Sequence, residues 1–332
     1  MNDDDSFMET WTNYWSVLYS DLDTPNDYPN SRPLLAHYTT LENIERIITS
    51  EQMWLSNPLL MNDLEEVRFG VLNGMEIIRS SKELHDALGN DDRRRLFFDT
   101  LESAFDVYGN EDVIDLYVIC FSVHKKDDND GILSMWRGYG NQGKGAALVF
   151  DTSKLPVPDE TPLTLGGVWY ATKDERKERI TEKIKELSSF IAANAFPDQY
   201  LHAAARELFK RLCIFSVFSK HIGFKEENEW RLVYLKDRDQ IDDENERVFF
   251  EKYFSYFNGP NGVQPKLKLP IGEFLGSINA AISFSDLIES IIIGPTVASP
   301  LAKRSVERML KAIGKESLID KVKSSEIPFR GT

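Results

Sequence analysis

The chain has 332 residues, of which 42% are hydrophobic and 28% are charged, a composition typical of a soluble globular protein. Its 39 basic and 54 acidic residues give a net charge of −15. This charge disfavours general binding to a phosphate backbone, although a local basic groove is compatible with it. No apolar run approaches the roughly 20 residues of a membrane helix, and the start MNDDDSFMET lacks a signal-peptide pattern. We therefore expect a cytoplasmic protein without membrane segments.

One short strand and three helices are predicted in the first 110 residues. Residues 1–33 combine the aromatic run WTNYWSVLY with acidic turn residues, and we expect an arm that packs its aromatic side chains onto the rest of the chain. A short strand ends at His37 and an amphipathic helix follows. Thr39 and Glu42 have the T-x-x-E spacing of a capping box at its start. The apolar piece MWLSNP comes next, and residues 63–80 and 91–106 have helical patterns.

The remainder of the chain alternates irregularly between strand and helix patterns. Strands are predicted in VIDLYVICFSV, GKGAALVFD and GGVWYAT, and later in NEWRLVYL, KLKLPI and LIESIIIGP. Helices are predicted over 173–191, 196–220 and about 299–314, with a short strand at the end. This order is not a regular βαβ alternation, so it favours a mixed α+β fold over a parallel doubly wound sheet. We expect one α+β domain over 34–332, with a helical insertion at about 172–220.

Cysteine and glycine patterns exclude several kinds of site. Cys120 and Cys213 lie in apolar surroundings and are too few for a disulfide framework, so we expect buried, reduced thiols. The chain has no C-x-x-C, H-E-x-x-H or calcium-loop spacing, and no metal is expected. Its glycine-rich run RGYGNQGKG precedes a strand, whereas nucleotide-binding glycine loops follow one.

Four clusters of polar and aromatic residues are candidates for chemistry. They are His37-Tyr38-Thr39 at a strand end, Asn57, Asn62, Asp63 and Glu66 in a loop, Trp136, Arg137 and Tyr139 beside two glycines, and Glu227 and Glu229 before a strand. The two glutamates share a face if the strand begins at Glu227.

Each cluster also has an ordinary structural explanation. A histidine at a strand end is more often a satisfied structural histidine, and Asp63 with Glu66 fits a helix cap. Trp136 is typical of a core residue, and the run KEENEWR is typical of a solvated face. Together, however, these clusters contain the groups that hold a nucleotide-sugar. Aromatic rings stack on a flat base, histidine bonds ribose hydroxyls, arginine pairs with pyrophosphate, and a carboxylate stabilises a cationic sugar.

Three blocks of sequence carry a resemblance to a known family. The blocks AHYTTLENIERIITSEQMWLSNPLLMND, CFSVHKKDDNDGILSMWRGYGNQGKGAALVFD and KHIGFKEENEWRLVY, spanning roughly 34–235, resemble the bacterial domain-of-unknown-function family 2971. The opening block is also similar, more weakly, to the start of ADP-ribosyltransferase folds. That similarity implies a largely antiparallel, split β-sheet with helical insertions, and NAD as the substrate.

The weaker resemblance assigns roles to individual residues. It implies that His37 contacts the NAD ribose, that Tyr139 or Trp136 stacks on nicotinamide, and that Glu229 directs transfer, with Glu227 as the competing choice. Arg137 has no counterpart in that pattern, and its pyrophosphate role is inferred from its chemistry. The residues expected to contact NAD are His37, Tyr38, Thr39, Asn62, Trp136, Arg137 and Glu227. Tyr139 and Glu229 lie far apart in sequence for that superfamily, so the helical block between them would be an insertion.

The leading hypothesis is an NAD-dependent ADP-ribosyltransferase that acts on a protein or nucleic-acid acceptor, as a bacterial toxin or phage-defence effector. A second hypothesis is a non-catalytic module that recognises a nucleotide or a protein, and its acidic surface suits a basic partner or a homo-oligomer. A third is a metal-dependent nuclease in which Asp63, Glu66, Glu227 and Glu229 gather magnesium.

Overall fold

The computed structural model describes residues 3–21, 27–58, 64–110, 116–157, 163–194, 196–235, 252–259, 262–273 and 282–329. The chain divides into two compact units, each assembled from three stretches. We call Met1–Pro25, Pro58–Asp115 and Val168–Phe224 the helical unit, and Asn26–Asn57, Leu116–Gly167 and Lys225–Thr332 the sheet unit. The predicted helical block at 172–220 lies wholly within the helical unit, whereas the division into an arm and one domain stays a prediction.

Helices occur in both units. In the described residues they are α1 (Asp3–Tyr19), α2 (Leu41–Ser50), α3 (Leu64–Ser80), α4 (Lys82–Leu88), α5 (Asp91–Asn110), α6 (Leu133–Gly138), α7 (Lys173–Ala193), α8 (Leu201–Val217), α9 (Phe284–Leu287) and α10 (Pro300–Ala312). Among these residues, no helix combines the length and the apolarity needed to cross a membrane.

Strands lie mainly in the sheet unit. In the described residues they are β1 (Leu34–Thr39), β2 (Gln52–Ser56), β3 (Leu116–His124), β4 (Ala146–Asp151), β5 (Leu163–Gly167), β6 (Trp169–Ala171), β7 (Ser219–His221), β8 (Glu229–Leu235), β9 (Phe254–Gly259), β10 (Gly262–Pro270), β11 (Ile288–Ile293) and β12 (Val322–Ser324). The predicted strand GGVWYAT is divided, because Val168 separates β5 from β6. Strand β9 was not among the predicted strands.

The helical unit buries the aromatic face of its first helix. Trp11, Tyr14, Trp15 and Leu18 recur at the three- and four-residue spacing of one helix face, and residues 3–19 are helical where an arm was expected. Tyr14 and Leu18 are fully buried, and the Tyr14 hydroxyl donates a hydrogen bond of 2.6 Å to the carbonyl of Ala204. The expected packing of the aromatic run is therefore confirmed, within a helix.

Asp21 holds the C-terminal end of α1 against α7 and α8. Its carboxylate accepts hydrogen bonds from Arg211 at 2.7 and 2.8 Å and from Arg179 at 3.0 and 3.2 Å. Lys183 lies 3.7 Å from the same carboxylate and donates to the carbonyl of Val17 at 3.1 Å. Burial raises the pKa of Asp21, but the attraction of Arg211, Lys183 and Arg179 outweighs burial, so the pKa is lowered overall.

In the described residues, the sheet unit is built on a ten-stranded sheet that divides along β3. The strands run in the order β12-β11-β4-β1-β3-β2-β10-β9, and β8 pairs with both β3 and β5. Val118 of β3 pairs with Ser56 of β2 and with Val233 of β8, so β2 and β8 lie on opposite edges of β3. Ser122 likewise pairs with β1 on one edge and β8 on the other. Because β1 and β2 both pair with the same edge of β3, the sheet divides there into two branches, β1–β4–β11–β12 and β2–β10–β9.

Apart from the parallel pair β11–β12, every pairing in this sheet is antiparallel. The mixed α+β fold with a largely antiparallel sheet is therefore confirmed. Two residues that pair across neighbouring strands lie on the same face of a sheet, and successive residues of one strand lie on opposite faces. We call the face that carries Leu35, Phe121 and Trp230 the first face, and the face that carries Ala36, Ser122 and Glu229 the second face.

We expect the Asp21→Ala variant to lower the free energy of unfolding by about 2 kcal/mol at neutral pH, because three cations lose a half-buried partner. Since folding lowers the pKa of Asp21, its contribution is present above the ordinary aspartate pKa of about 3.9 and is lost as the pH falls through the lowered value. Urea unfolding at several pH values measures the difference.

Glu102→Ala is the matched control, because Glu102 forms an exposed ion pair with Arg79 in the same unit. Its loss should cost less than about 1 kcal/mol. Equal losses in the two variants, or a deficit in Asp21→Ala that persists unchanged in acid, would contradict this account.

Candidate functional site

In the first predicted cluster, the residue that caps helix α2 lies one position after the expected one. Thr40, and not Thr39, caps α2, because its hydroxyl accepts from the backbone N–H of Asn43 at 3.2 Å. Thr39 instead ends β1, and its hydroxyl accepts from the side-chain amide of Asn43 at 2.9 Å. Glu42 forms an exposed ion pair with Arg46 at 2.6 Å rather than a capping box. The expected Thr39–Glu42 box is wrong because pairing with β4 keeps Thr39 in the strand.

His37 lies on the first face of the sheet, where its ring meets Phe121 edge-on with centroids 5.8 Å apart. Its Nδ1 is 3.0 Å from the carbonyl oxygen of Cys120. Because a carbonyl only accepts hydrogen bonds, Nδ1 carries the proton. Burial lowers the pKa of His37, against a smaller opposing effect of that hydrogen bond, and favours the neutral ring.

Tyr38 and Trp136 secure α6 to the second face. The Tyr38 hydroxyl accepts from the backbone N–H of Ile132 at 3.0 Å, and its ring meets Trp136 edge-on at 4.8 Å. Burial raises the pKa of Tyr38 to about 12. Trp136 is fully buried and donates from Nε1 to the carbonyl of Asp130 at 2.8 Å. Both rings therefore pack α6, and Trp136 presents no exposed surface to a ligand.

The glycine-rich run forms a tight turn between α6 and β4. Asn141, Gln142 and Gly143 have φ of 50°, 54° and 74°, in the left-handed region that favours glycine. The N–H of Gly145 donates to the carbonyl of Gly140 at 2.9 Å and closes the turn. A Cβ at Gly145 would lie 2.1 Å from the carbonyl oxygen of Thr39, so only glycine fits against β1. This close approach fixes the position of the segment that begins at Tyr139.

Tyr139 and Arg137 emerge from α6 at the surface. Tyr139 is 39% exposed, and its hydroxyl lies 3.3 Å from Oε1 of Glu227, to which it donates. Arg137 is exposed, and its guanidinium lies 5.3 Å from the ring centroid of Phe329. The aromatic ring and the carboxylate of the predicted site therefore meet at the surface, and the exposed Arg137 lies two residues before Tyr139 in the chain.

The two glutamates before β8 occupy different environments. Glu229 is 4% exposed and forms a bidentate ion pair with Arg231, at 2.8 and 3.1 Å. Glu227 is partly exposed, ends a 3₁₀ turn (Ile222–Glu227), and its carbonyl accepts from the Ser122 hydroxyl at 2.6 Å. Asn228, with φ of 42°, separates them. The condition for a shared strand face, a strand that begins at Glu227, is not met, because the strand begins at Glu229 and the left-handed residue interrupts the alternation.

The structure therefore brings together part of the predicted set. Tyr139 and Glu227 are in contact, and Glu229 lies on the second face, against which α6 packs. His37 lies on the first face, so it does not share a cleft with Glu229. Asn62 and Asp63 lie outside the described residues, as does the side chain of Glu66. No group of three potential metal ligands occurs in the part of the chain that the structure describes.

Arg231 and Ser122, which hold the N-terminal end of β8, were not among the predicted site residues. The E-W-R spacing was a usable signal for Arg231, because residues two apart on a strand share a face and Glu229 pairs with it there. Ser122 lies 105 residues from Glu227, and nothing local in the sequence indicates that contact.

Comparison with known proteins adds one match. Residues 135–232 match a family described as protein of unknown function (DUF2971). The match begins in α6 and ends in β8, so it includes both Tyr139 and Glu227, and it covers less than a third of the chain. The predicted resemblance to this family is confirmed over these residues. No curated protein and no solved structure matches the chain, and the resemblance to ADP-ribosyltransferases stays a prediction.

We expect Glu229→Gln to lower the free energy of unfolding by about 2 kcal/mol, because it leaves the buried guanidinium of Arg231 without its bidentate carboxylate. Glu227→Gln removes the same charge from a partly exposed position and should change the free energy of unfolding by less than about 0.5 kcal/mol. Chemical denaturation of both variants tests this. A larger loss in Glu227→Gln would show that the buried pair is not the main contribution.

We expect Gly145→Ala to lower the free energy of unfolding by about 2 to 3 kcal/mol, because the new methyl group meets backbone and not a flexible side chain. Gly138→Ala is the matched control. Gly138 ends α6 with no heavy atom within 4 Å of an added Cβ, so this change should be neutral or slightly stabilising. Thermal unfolding followed by circular dichroism measures both. A neutral Gly145→Ala would contradict the close approach to β1.

Proposed function

We propose that the sheet unit recognises a small nucleotide, with NAD as the ligand to test first, through Tyr139, Arg137 and Glu227. The contact between the Tyr139 hydroxyl and the Glu227 carboxylate carries this proposal, because it joins an exposed ring and a partly exposed acid from distant parts of the family-matched segment. A single nucleotide carries few negative charges, so a chain of net charge −15 repels it only weakly.

Each of the three groups has a chemical counterpart in a nucleotide. The partly exposed ring of Tyr139 offers a flat surface for a base or a nicotinamide ring. The guanidinium of Arg137 suits the oxygens of a pyrophosphate. The carboxylate of Glu227 accepts hydrogen bonds from ribose hydroxyls, as acidic residues do in dinucleotide-binding proteins. Trp136 is buried and takes no part, and Tyr38 and Thr39 support the site from β1.

ADP-ribosyl transfer is the second candidate function. A carboxylate stabilises the cationic ribose that forms when the bond to nicotinamide breaks, and Glu227 is the more accessible of the two glutamates. In this proposal Glu227 takes the role first assigned to Glu229, and no role is given to His37, which lies on the other face. The acceptor, on protein or nucleic acid, and the role as toxin or phage-defence effector stay predictions. The nuclease hypothesis rests partly on residues outside the described ranges and also stays a prediction.

Calorimetric titration with NAD, run beside an assay of NAD consumption and label transfer, tests both functions. We expect wild-type protein to bind NAD, and Glu227→Gln to weaken binding about tenfold or more, because a hydrogen bond to a charged group is lost. Tyr139→Ala should weaken binding comparably through loss of stacking. Binding without consumption would support recognition alone. Label transfer that Glu227→Gln abolishes would support the transferase.

Two control variants make the same changes as Glu227→Gln and Tyr139→Ala, but at other positions in the sheet unit. Glu316→Gln removes an exposed glutamate and Tyr256→Ala removes a tyrosine that is 74% exposed. Neither change should alter NAD binding. Absence of binding by the wild type, or equal weakening by test and control variants, would reject the proposal. Full activity in Glu227→Gln would reject the catalytic assignment alone.

A further inference from the structure

The second face of the branch β2–β10–β9 carries a cluster that the proposed function does not use. We call Trp54, Ser56, Phe257, Lys266 and Lys268 the lysine platform. Strand pairing places them together, since Ser56 pairs with Lys266 and Trp54 with Lys268. Phe257 belongs to the same face because its cross-strand neighbour Gln264 lies two residues before Lys266.

The opposite face of the same strands shows why these residues face outward. Met53 and Leu55 of β2, and Leu267 and Leu269 of β10, are almost fully buried in the hydrophobic core. Strict alternation then turns every platform residue away from that core. Each platform residue is partly exposed, so its aromatic and cationic groups are accessible to a ligand.

The two lysines contact neutral groups. Nζ of Lys266 donates to the Ser56 hydroxyl at 2.7 Å, and Nζ of Lys268 lies 4.3 Å from the centroid of the Trp54 ring. Within the described residues, no carboxylate lies at ion-pair distance from either ammonium group. Burial lowers the pKa of Lys266, as expected for a cation whose surroundings provide no compensating negative charge.

Acidic residues at the end of the platform are already paired. Glu51 precedes β2 and forms an ion pair with Lys315, and Glu273 follows β10 and pairs with Lys252 at 2.8 Å. Among the described residues, these two carboxylates are thus each matched by a lysine outside the platform, and Lys266 and Lys268 keep their positive charge without an ion-pair partner. Electrostatic screening at physiological ionic strength acts over about 8 Å, so a ligand on the platform responds to this charge more than to the net charge of the chain.

We propose that the lysine platform binds single-stranded nucleic acid. Trp54 and Phe257, whose rings meet edge-on at 5.9 Å, provide the aromatic surface on which bases stack. Lys266 and Lys268 lie two residues apart on β10, about 7 Å along the strand, and contact successive parts of a phosphate backbone. Charge complementarity selects a polyanion, and the aromatic pair selects one with exposed bases over a duplex or an acidic peptide. This proposal is independent of the nucleotide site, since the two share no residue.

Fluorescence anisotropy with a labelled poly-uridine or poly-deoxythymidine of about ten nucleotides tests the proposal on the full chain. Two phosphate contacts predict that the logarithm of the affinity falls with the logarithm of salt concentration at a slope of about −1.4. Lys266→Gln and Lys268→Gln should each weaken binding several-fold and reduce the slope to about −0.7. Phe257→Leu should weaken binding several-fold without changing the slope, because it removes stacking and no charge.

Lys303→Gln is the matched control. Lys303 lies on α10 and is partly exposed, as the platform lysines are, and the substitution removes the same charge from the sheet unit. Unchanged binding in this variant supports a site at the platform. Absence of oligonucleotide binding at low salt would overturn the proposal. So would equal weakening by Lys303→Gln, or equally tight binding of a duplex of the same length. Circular dichroism of each variant measures folding, and Lys268→Gln serves as the lysine variant if Lys266→Gln fails to fold.

Discussion

The two-residue alternation of side chains along β1, β3 and β8 determines which groups of this protein can meet. Ala36, Ser122 and Glu229 pair in register across three antiparallel strands, so they share one face. Residues one position along, including His37 and Phe121, project from the other face. A shift of one residue in either pairing would exchange the two sets. The buried hydrophobic cluster on the first face makes such a shift costly, because it would expose Leu35 and Trp230.

Close packing on the second face makes the positions of nearby surface residues depend on this register. Tyr38 holds the N-terminal end of α6 through Ile132, Trp136 fills the space below the helix, and Gly145 brings the following turn against the backbone of Thr39. These contacts leave little freedom to the intervening residues. Tyr139 is therefore presented to solvent at a position set by the core, which is how a rigid scaffold positions a residue for binding.

The distribution of charge is less uniform than a net value of −15 indicates. Arg231 is buried against Glu229, and Arg211 is buried against Asp21, so several cations stabilise the interior of one unit or the other. Lys266 and Lys268 differ from these, because they contact a hydroxyl and an aromatic ring. A strongly acidic chain can thus carry a local cationic surface, since screening limits the reach of its remaining charges.

Elements whose cause is local could be predicted from the sequence. The four-three-four spacing of Ile180, Ile184, Leu187 and Ile191 predicted α7 and its buried face, and the β-branched run before His124 predicted β3. The mixed α+β class followed from the order of such elements. The spacing of the aromatic residues in α1 also contained a helix signal that the expectation of an arm overlooked. Tyr139, Glu227 and Glu229 were recognised as candidates from their chemistry alone.

How those candidates combine depends on contacts between distant parts of the chain. The separation of His37 from Glu229 depends on the register between strands that are distant in sequence, and no local pattern specifies it. The different environments of Glu227 and Glu229 depend on one left-handed residue, Asn228, and on Arg231 closing a buried ion pair. The sequence therefore determined which elements and which reactive groups are present, because propensity and periodicity act locally. The tertiary structure decided which groups share a face, because long-range strand pairing and burial act only once the chain has folded.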